Sequence, residues 1–172
     1  MDDAGLWAIV GTIIGFFLFV IWDAWKDYKQ KTKERKRIVT LLKTELLDNL
    51  DICRNSKAML ASDLKAIEET GTESVITPVS FSDSSWNISR SADILSFFTN
   101  DKLKKICELY SGFRMVNTVL ANRDLTRATS KSLIQYPTII KAYNYRLIEM
   151  ISTLEAGITE SIKILEAKSL KS

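Results

Sequence analysis

Apolar residues follow two different rhythms along this chain. Over 6–22, LWAIVGTIIGFFLFVIW, seventeen positions pass with no charge and a single Thr. From residue 38 onward, apolar residues recur every three or four positions, the period of an amphipathic helix. With Ala4 and Gly5 the first run reaches nineteen residues. At a helical rise of 1.5 Å per residue that is just enough for the roughly 30 Å hydrocarbon core of a bilayer. The run predicts a retained membrane span. A cleaved signal peptide needs a basic start and a small-residue cleavage site. This run is preceded by Asp2 and Asp3 and ends in Trp22-Asp23-Ala24-Trp25.

The second rhythm predicts helices. Val39, Leu42, Leu46, Asn49, Cys53, Leu60, Leu64 and Ile67 share one stripe of a long helix over about 33–69. Asn49 on that stripe is a polar residue suited to fixing register in a helical assembly. Gly71, Pro78 and the Ser/Thr content of 70–85 mark a loop, with Val75, Ile76, Val79 and Phe81 available to press parts of it onto the core. Ser84 or Ser85 can cap a helix near Trp86 that carries Ile94, Leu95, Phe97 and Phe98. Thr99 or Asn100 can cap the next, with the stripe Leu103, Ile106, Cys107, Tyr110, Phe113, Val116 and Leu120. Pro137 fits the first turn of a last long helix bearing Tyr143, Leu147, Ile151, Leu154, Ile158, Ile162 and Leu165. The expected fold is all-α: an N-terminal single transmembrane helix followed by a cytosolic bundle of four to five helices. Its long first and last helices are able to pair between subunits of a homo-oligomer.

Charge orients this arrangement. Residues 1–25 carry net −3, residues 26–37 net +5, and residues 38–172 net +1. Basic flanks stay in the cytoplasm. The reading is therefore an outside tail and span over 1–25, a basic juxtamembrane segment over 26–37, and a cytosolic domain over 38–172. That orients the chain with its N-terminus outside, its domain in the cytoplasm and the bilayer as its first partner. Trp7, Trp22 and Trp25 sit where an interfacial aromatic belt would. Gly11 and Gly15, a GxxxG pair, allow spans to associate closely. The basic run contacts anionic headgroups, and the small charge of 38–172 argues against double-stranded nucleic acid as a partner.

Catalysis finds little footing. The chain has no His, which removes Ser-His-Asp and Cys-His arrangements and His-based metal sites. Cys53 and Cys107 form no CxxC pair. Glu45, Asp48 and Asp51 read as the solvated face of the first long helix. No catalytic residue, cofactor or metal ligand is assigned, and the chain is read as a non-enzyme.

Ligand binding has more to work with. Arg123, Arg127 and Lys131 are spaced by four and so share a helix face, with Arg114 and Asn117 earlier on the same helix. Trp86, Asn87 and Arg90 place an aromatic ring, an amide and a cation at a helix start, where free backbone N–H groups can donate to an anion. Arg and aromatic side chains together suit phosphates and nucleobases. The plainer reading is a solvated basic face for Arg123, Arg127 and Lys131, and a core aromatic with a local salt bridge for Trp86 and Arg90.

A short outside tail, one span, a basic stop and the helix run Leu41–Leu50 (LLKTELLDNL) close behind it resemble small single-pass proteins of bacterial defence systems. The whole layout is similar to that of the membrane-bound effectors of type III CRISPR antiviral systems. The resemblance implies a cytosolic domain that oligomerises, binds a cyclic oligoadenylate second messenger and perturbs the membrane. The alternative is a membrane-anchored adaptor that docks a cytosolic protein partner without a small ligand.

Overall fold

The structure, a computed structural model, describes residues 3–74, 77–90 and 98–169, with side chains over 11–74, 77–90 and 98–167. The described residues are all-α: α1 (Asp3–Thr70), α2 (Ser84–Arg90), α3 (Asn100–Thr129) and α4 (Tyr136–Ser169). They divide into two compact units, Met1–Ile38 and Val39–Ser172. Helix α1 supplies residues to both.

In the first unit, nine large apolar side chains between Ile13 and Trp22 are each 46–66% exposed. They face every side of the helix. Trp22 and Trp25 rings meet at 5.3 Å, and Lys29 Nζ lies 3.8 Å from the centre of the Trp25 ring. A Cβ added at Gly11 or Gly15 would meet nothing within 4 Å. Among the described residues no helix is long and apolar enough to cross a membrane. The described side chains begin at Gly11, so Ala4, Gly5 and the first five residues of the run 6–22, Trp7 among them, fall outside that statement.

The second unit is a three-helix bundle with seven-residue periodicity. On α1 the buried positions are Leu42, Leu46, Asn49, Cys53, Ser56, Leu60, Asp63 and Ile67, alternating steps of four and three. On α4 they are Ile140, Asn144, Leu147, Ile151, Leu154, Ile158, Ser161 and Leu165, with the same steps. Helix α3 contributes Ile106, Leu109, Phe113, Val116, Leu120 and Arg123. Such spacing packs side chains of one helix into the gaps of the next. Between α3 and α4 the approach is close: a Cβ on Gly112 would fall 2.6 Å from Leu154 Cδ2.

Contacts give the chain directions. Lys43 pairs with Glu166, Lys57 with Glu155 and Lys141 with Glu68, so α1 and α4 run antiparallel. Lys105 pairs with Glu160 and Arg123 with Asn144, so α3 and α4 are antiparallel too. Helices α1 and α3 are therefore parallel, as the pairs Glu45–Tyr110 and Asp63–Arg123 also require. Parallel neighbours need a long return, and the loop after α1 supplies it. Gly71, at φ 69°, turns the chain out of α1 with its N–H on the Ile67 carbonyl. The chain then runs back along the bundle between α1 and α3, as a strap.

Two side-chain amides fix the strap, Asn49 buried and Asn117 half-buried. Asn49 donates to the Ser82 carbonyl at 2.8 Å and accepts from the Ser82 N–H at 2.9 Å. Asn117 does the same for Phe81, at 2.9 and 2.8 Å. Each side chain thus supplies what a neighbouring strand would, and the strap needs no sheet. Phe81 stacks on Phe113 at 5.3 Å, and Trp86 of α2 stacks on Tyr110 at 4.9 Å. Val75, Ile76 and the positions Ile94, Leu95 and Phe97 lie outside the described residues.

Several expectations are corrected by this packing. Glu45 is not on the solvated face but buried, whereas Asp48 and Asp51 are exposed. Cys107 is exposed rather than in the core stripe. On α4 the seam passes through Asn144 and Ser161, leaving Tyr143 and Ile162 half-buried. Thr99 caps α3 by position only, without a side-chain hydrogen bond.

Candidate functional site

The candidate cations and aromatics do not form one site. Arg123 is completely buried between the three long helices, near the end of the bundle where α1 and α3 finish and α4 begins. Its Nη2 donates to Asp63 Oδ2 at 2.6 Å and its Nε to Asn144 Oδ1 at 2.7 Å, while Asn144 Nδ2 donates to the same Asp63 oxygen at 2.7 Å. One residue from each helix thus closes a polar layer. The other Asp63 oxygen accepts from the Ser74 N–H, tying the strap to the same layer. A buried charge is tolerated when it is paired and hydrogen-bonded. The expected solvated basic face is therefore overturned at Arg123, which packs inside.

Arg127, one turn on, clasps the strap. Its Nε lies 2.9 Å from Glu73 Oε2, its Nη1 donates to Thr77 Oγ1 at 3.1 Å, and its Nη2 donates to the Ser74 carbonyl at 2.9 Å. Burial works to lower its pKa, but the Glu73 carboxylate outweighs burial and raises it. Lys131 lies past the end of α3 and is well exposed, with Nζ 3.8 Å from Glu73 Oε1.

The residues near α2 have local partners as well. Trp86 is buried against Tyr110. Arg114 Nε donates to Asp83 at 2.9 Å and its Nη2 to the Asn87 side-chain oxygen at 2.9 Å. Asn117 holds the strap. Arg90 is exposed at the end of α2. Of the eight candidates, Arg114 and Asn87 are in direct contact, whereas Arg123 and Trp86 are enclosed and belong to separate networks.

Sequence reasoning missed the second buried carboxylate network. Glu45 accepts from the Tyr110 hydroxyl at 2.8 Å, from Ser82 Oγ at 3.0 Å and from the Ser85 N–H at 2.7 Å. Burial, then the neighbouring Glu45 charge, pushes the Tyr110 hydroxyl well above its ordinary pKa, so it stays a donor. The available signal was the spacing: Glu45 precedes the stripe residue Asn49 by four. Among the described residues no group of three or more acidic or thiol side chains is placed to hold a metal ion.

No family model matches the chain, and neither a curated protein nor a solved structure does.

Proposed function

We propose that the protein is a membrane-anchored helical platform. The run 6–22 sits in the bilayer, the basic segment 26–37 lies on the cytoplasmic leaflet, and the 39–172 bundle is presented to a cytosolic protein partner. The observation that carries this is the exposure of Ile13, Ile14, Phe16, Phe17, Leu18, Phe19, Val20, Ile21 and Trp22 around one helix. A helix that is apolar on every side belongs in an apolar surrounding. The basic residues that follow it match the cytoplasmic flank of a span. The platform reading is favoured over the nucleotide-gated defence effector because three of the groups assigned to the ligand are engaged within the bundle: Arg123 with Asp63, Arg127 with Glu73, and Trp86 with Tyr110.

Flotation tests the anchor. The full chain is expected to float with phosphatidylethanolamine/phosphatidylglycerol vesicles and to stay with them through alkaline carbonate. Ile14→Arg combined with Phe17→Arg is expected to abolish this, since each arginine at mid-span costs about 2.5–3.5 kcal/mol. Release of the unmodified chain by carbonate would overturn the anchor. A saturable rise in melting temperature with a cyclic oligoadenylate would restore the effector reading.

A further inference from the structure

Beyond the apolar run, α1 continues without a break through the basic segment. At about 100° of rotation per residue, its charges sort by face. Trp25, Lys29, Lys33 and Arg37 form one row at steps of four, with Lys26 and Lys36 beside it. That face carries five cations, all exposed, and no carboxylate. Asp23, Asp27 and Glu34 gather on another face, rotated by about a third of a turn. Lys31 lies at the edge of that second face, with Asp27 one turn before it and Glu34 one turn after. Among the described residues no ion pair engages Lys26, Lys29, Lys33 or Arg37. Like charges one turn apart on a helix repel, so the row is unfavourable until an external anion faces it. Lys29 gives the depth. Its Nζ sits 3.8 Å from the centre of the Trp25 ring, one turn back toward the span, and Trp25 in turn meets Trp22. Indole rings settle at the headgroup level of a bilayer, and the Lys29 ammonium is held there with them.

We infer that the Trp25–Lys29–Lys33–Arg37 face binds the phosphodiester groups of anionic lipids in the cytoplasmic leaflet, and that α1 leans toward it. The inference rests on the platform reading and deepens it by naming the lipid and the side of the helix that meets it. The headgroup layer is only about 5–8 Å deep. A helix standing upright would carry Arg37 about 18 Å beyond Trp25, past that layer. Leaning brings the cationic row down onto the phosphates and lifts Asp23, Asp27 and Glu34 away from them. Transmembrane helices lean by about 20° on average, and the long stems of Lys and Arg cover the remaining distance. Charge selects the anion. A zwitterionic headgroup brings a cation along with its phosphate, and that cation would meet five like charges. An anionic headgroup brings none, and each basic residue near such a surface adds to the attraction.

The test uses the full chain in phosphatidylcholine vesicles, with nitroxide-labelled phosphatidylglycerol or phosphatidylcholine as probe. The fraction of each label immobilised on the protein gives the relative affinity. Phosphatidylglycerol is expected to be preferred, with the preference weakening as salt is added. Lys29→Gln and Lys33→Gln are each expected to lower the preference about twofold to fivefold, up to the worth of one basic residue at an anionic surface. Lys31→Gln removes the same charge within about 3 Å of the height of Lys33 but from the carboxylate-flanked side, and is expected to leave the preference nearly unchanged. Flotation of each variant verifies that it is inserted. Equal losses from Lys31→Gln and Lys33→Gln would overturn the face. Equal affinity of the unmodified chain for the two lipids would overturn the lipid assignment. Loss of the preference in millimolar inorganic phosphate, but not in chloride of equal ionic strength, would make a soluble phosphate the ligand and overturn it as well. Failure here with flotation intact removes the lipid face alone, whereas loss of flotation by the unmodified chain removes the platform beneath it.

Discussion

Removing Arg123 tests the central polar layer most directly. Arg123→Met keeps the length and apolar stem of the side chain but leaves the Asp63 carboxylate, itself almost wholly enclosed, with Asn144 and the Ser74 N–H as its remaining partners. Breaking a buried ion pair from one side costs about 3–5 kcal/mol, because the surviving charge stays desolvated. Domains of this kind have a total stability of only about 5–15 kcal/mol. At about 3–4 °C per kcal/mol for a domain of this size, the melting temperature falls by about 10–20 °C. The triple change Asp63→Leu, Arg123→Met, Asn144→Leu removes the ion pair and the side-chain amide of the layer together, leaving the Ser74 N–H as its one remaining polar group. It is expected to recover most of the loss, since an apolar replacement of a whole buried network is often neutral or better. Urea unfolding of the full chain in detergent, followed by helical circular dichroism, measures both. A loss under about 1 kcal/mol for Arg123→Met, or a triple variant weaker than the single one, would refute the reasoning.

Three further outcomes follow from other contacts. Gly71→Ala forces a Cβ into left-handed backbone at φ 69° and should lower stability by about 1–2 kcal/mol, read in the same urea titration, with Gly71→Asn recovering part of it. Iodoacetamide at pH 8 should modify exposed Cys107 quickly and Cys53 only after unfolding, since burial pushes the Cys53 thiol up to about 12; mass spectrometry of the peptides decides it. The Lys141 hydrogen bond, and then its charge, holds Glu68 below the usual carboxylate range. Its stabilising contribution is thus present above the ordinary carboxylate pKa and lost as pH falls through the depressed value. Lys141→Met should move the Glu68 midpoint up toward the ordinary value in a carboxyl-carbon NMR titration, and no upward movement would contradict the pairing.

Much of the bundle was legible because apolar identity and helical spacing coincide. Leu42, Leu46, Asn49, Cys53, Leu60, Leu64 and Ile67 were placed on the stripe and are buried. What escaped were charges in the same register. Asp63 follows Leu60 by three and Arg123 follows Leu120 by three, but an ionisable residue reads as solvated unless its partner is known. These partners lie 60 and 81 residues from Asp63. The shared-face argument for Arg123, Arg127 and Lys131 failed for a geometric reason. Each step of four rotates a helix by about 40°. Starting from the seam at Arg123, two steps carry the row through the half-covered border at Arg127 and out past the end of α3 at Lys131. The strap was recognised as a loop, yet its order comes from Asn49 and Asn117, whose reach across the bundle no local pattern reveals.

The parallel pairing of α1 with α3 also sets a timetable. Helix α1 leaves the ribosome first, but the Asp63 carboxylate waits for Asn144, 81 residues later. At about 5–20 residues per second that interval is about 4–16 s. Throughout it, the stripe from Leu42 to Ile67 has no permanent cover, whereas α3 and α4, joined by a short turn, can close on each other soon after both are made. The nascent chain therefore carries that apolar stripe uncovered for seconds, on the same helix that exposes Asp48, Asp51 and Arg54.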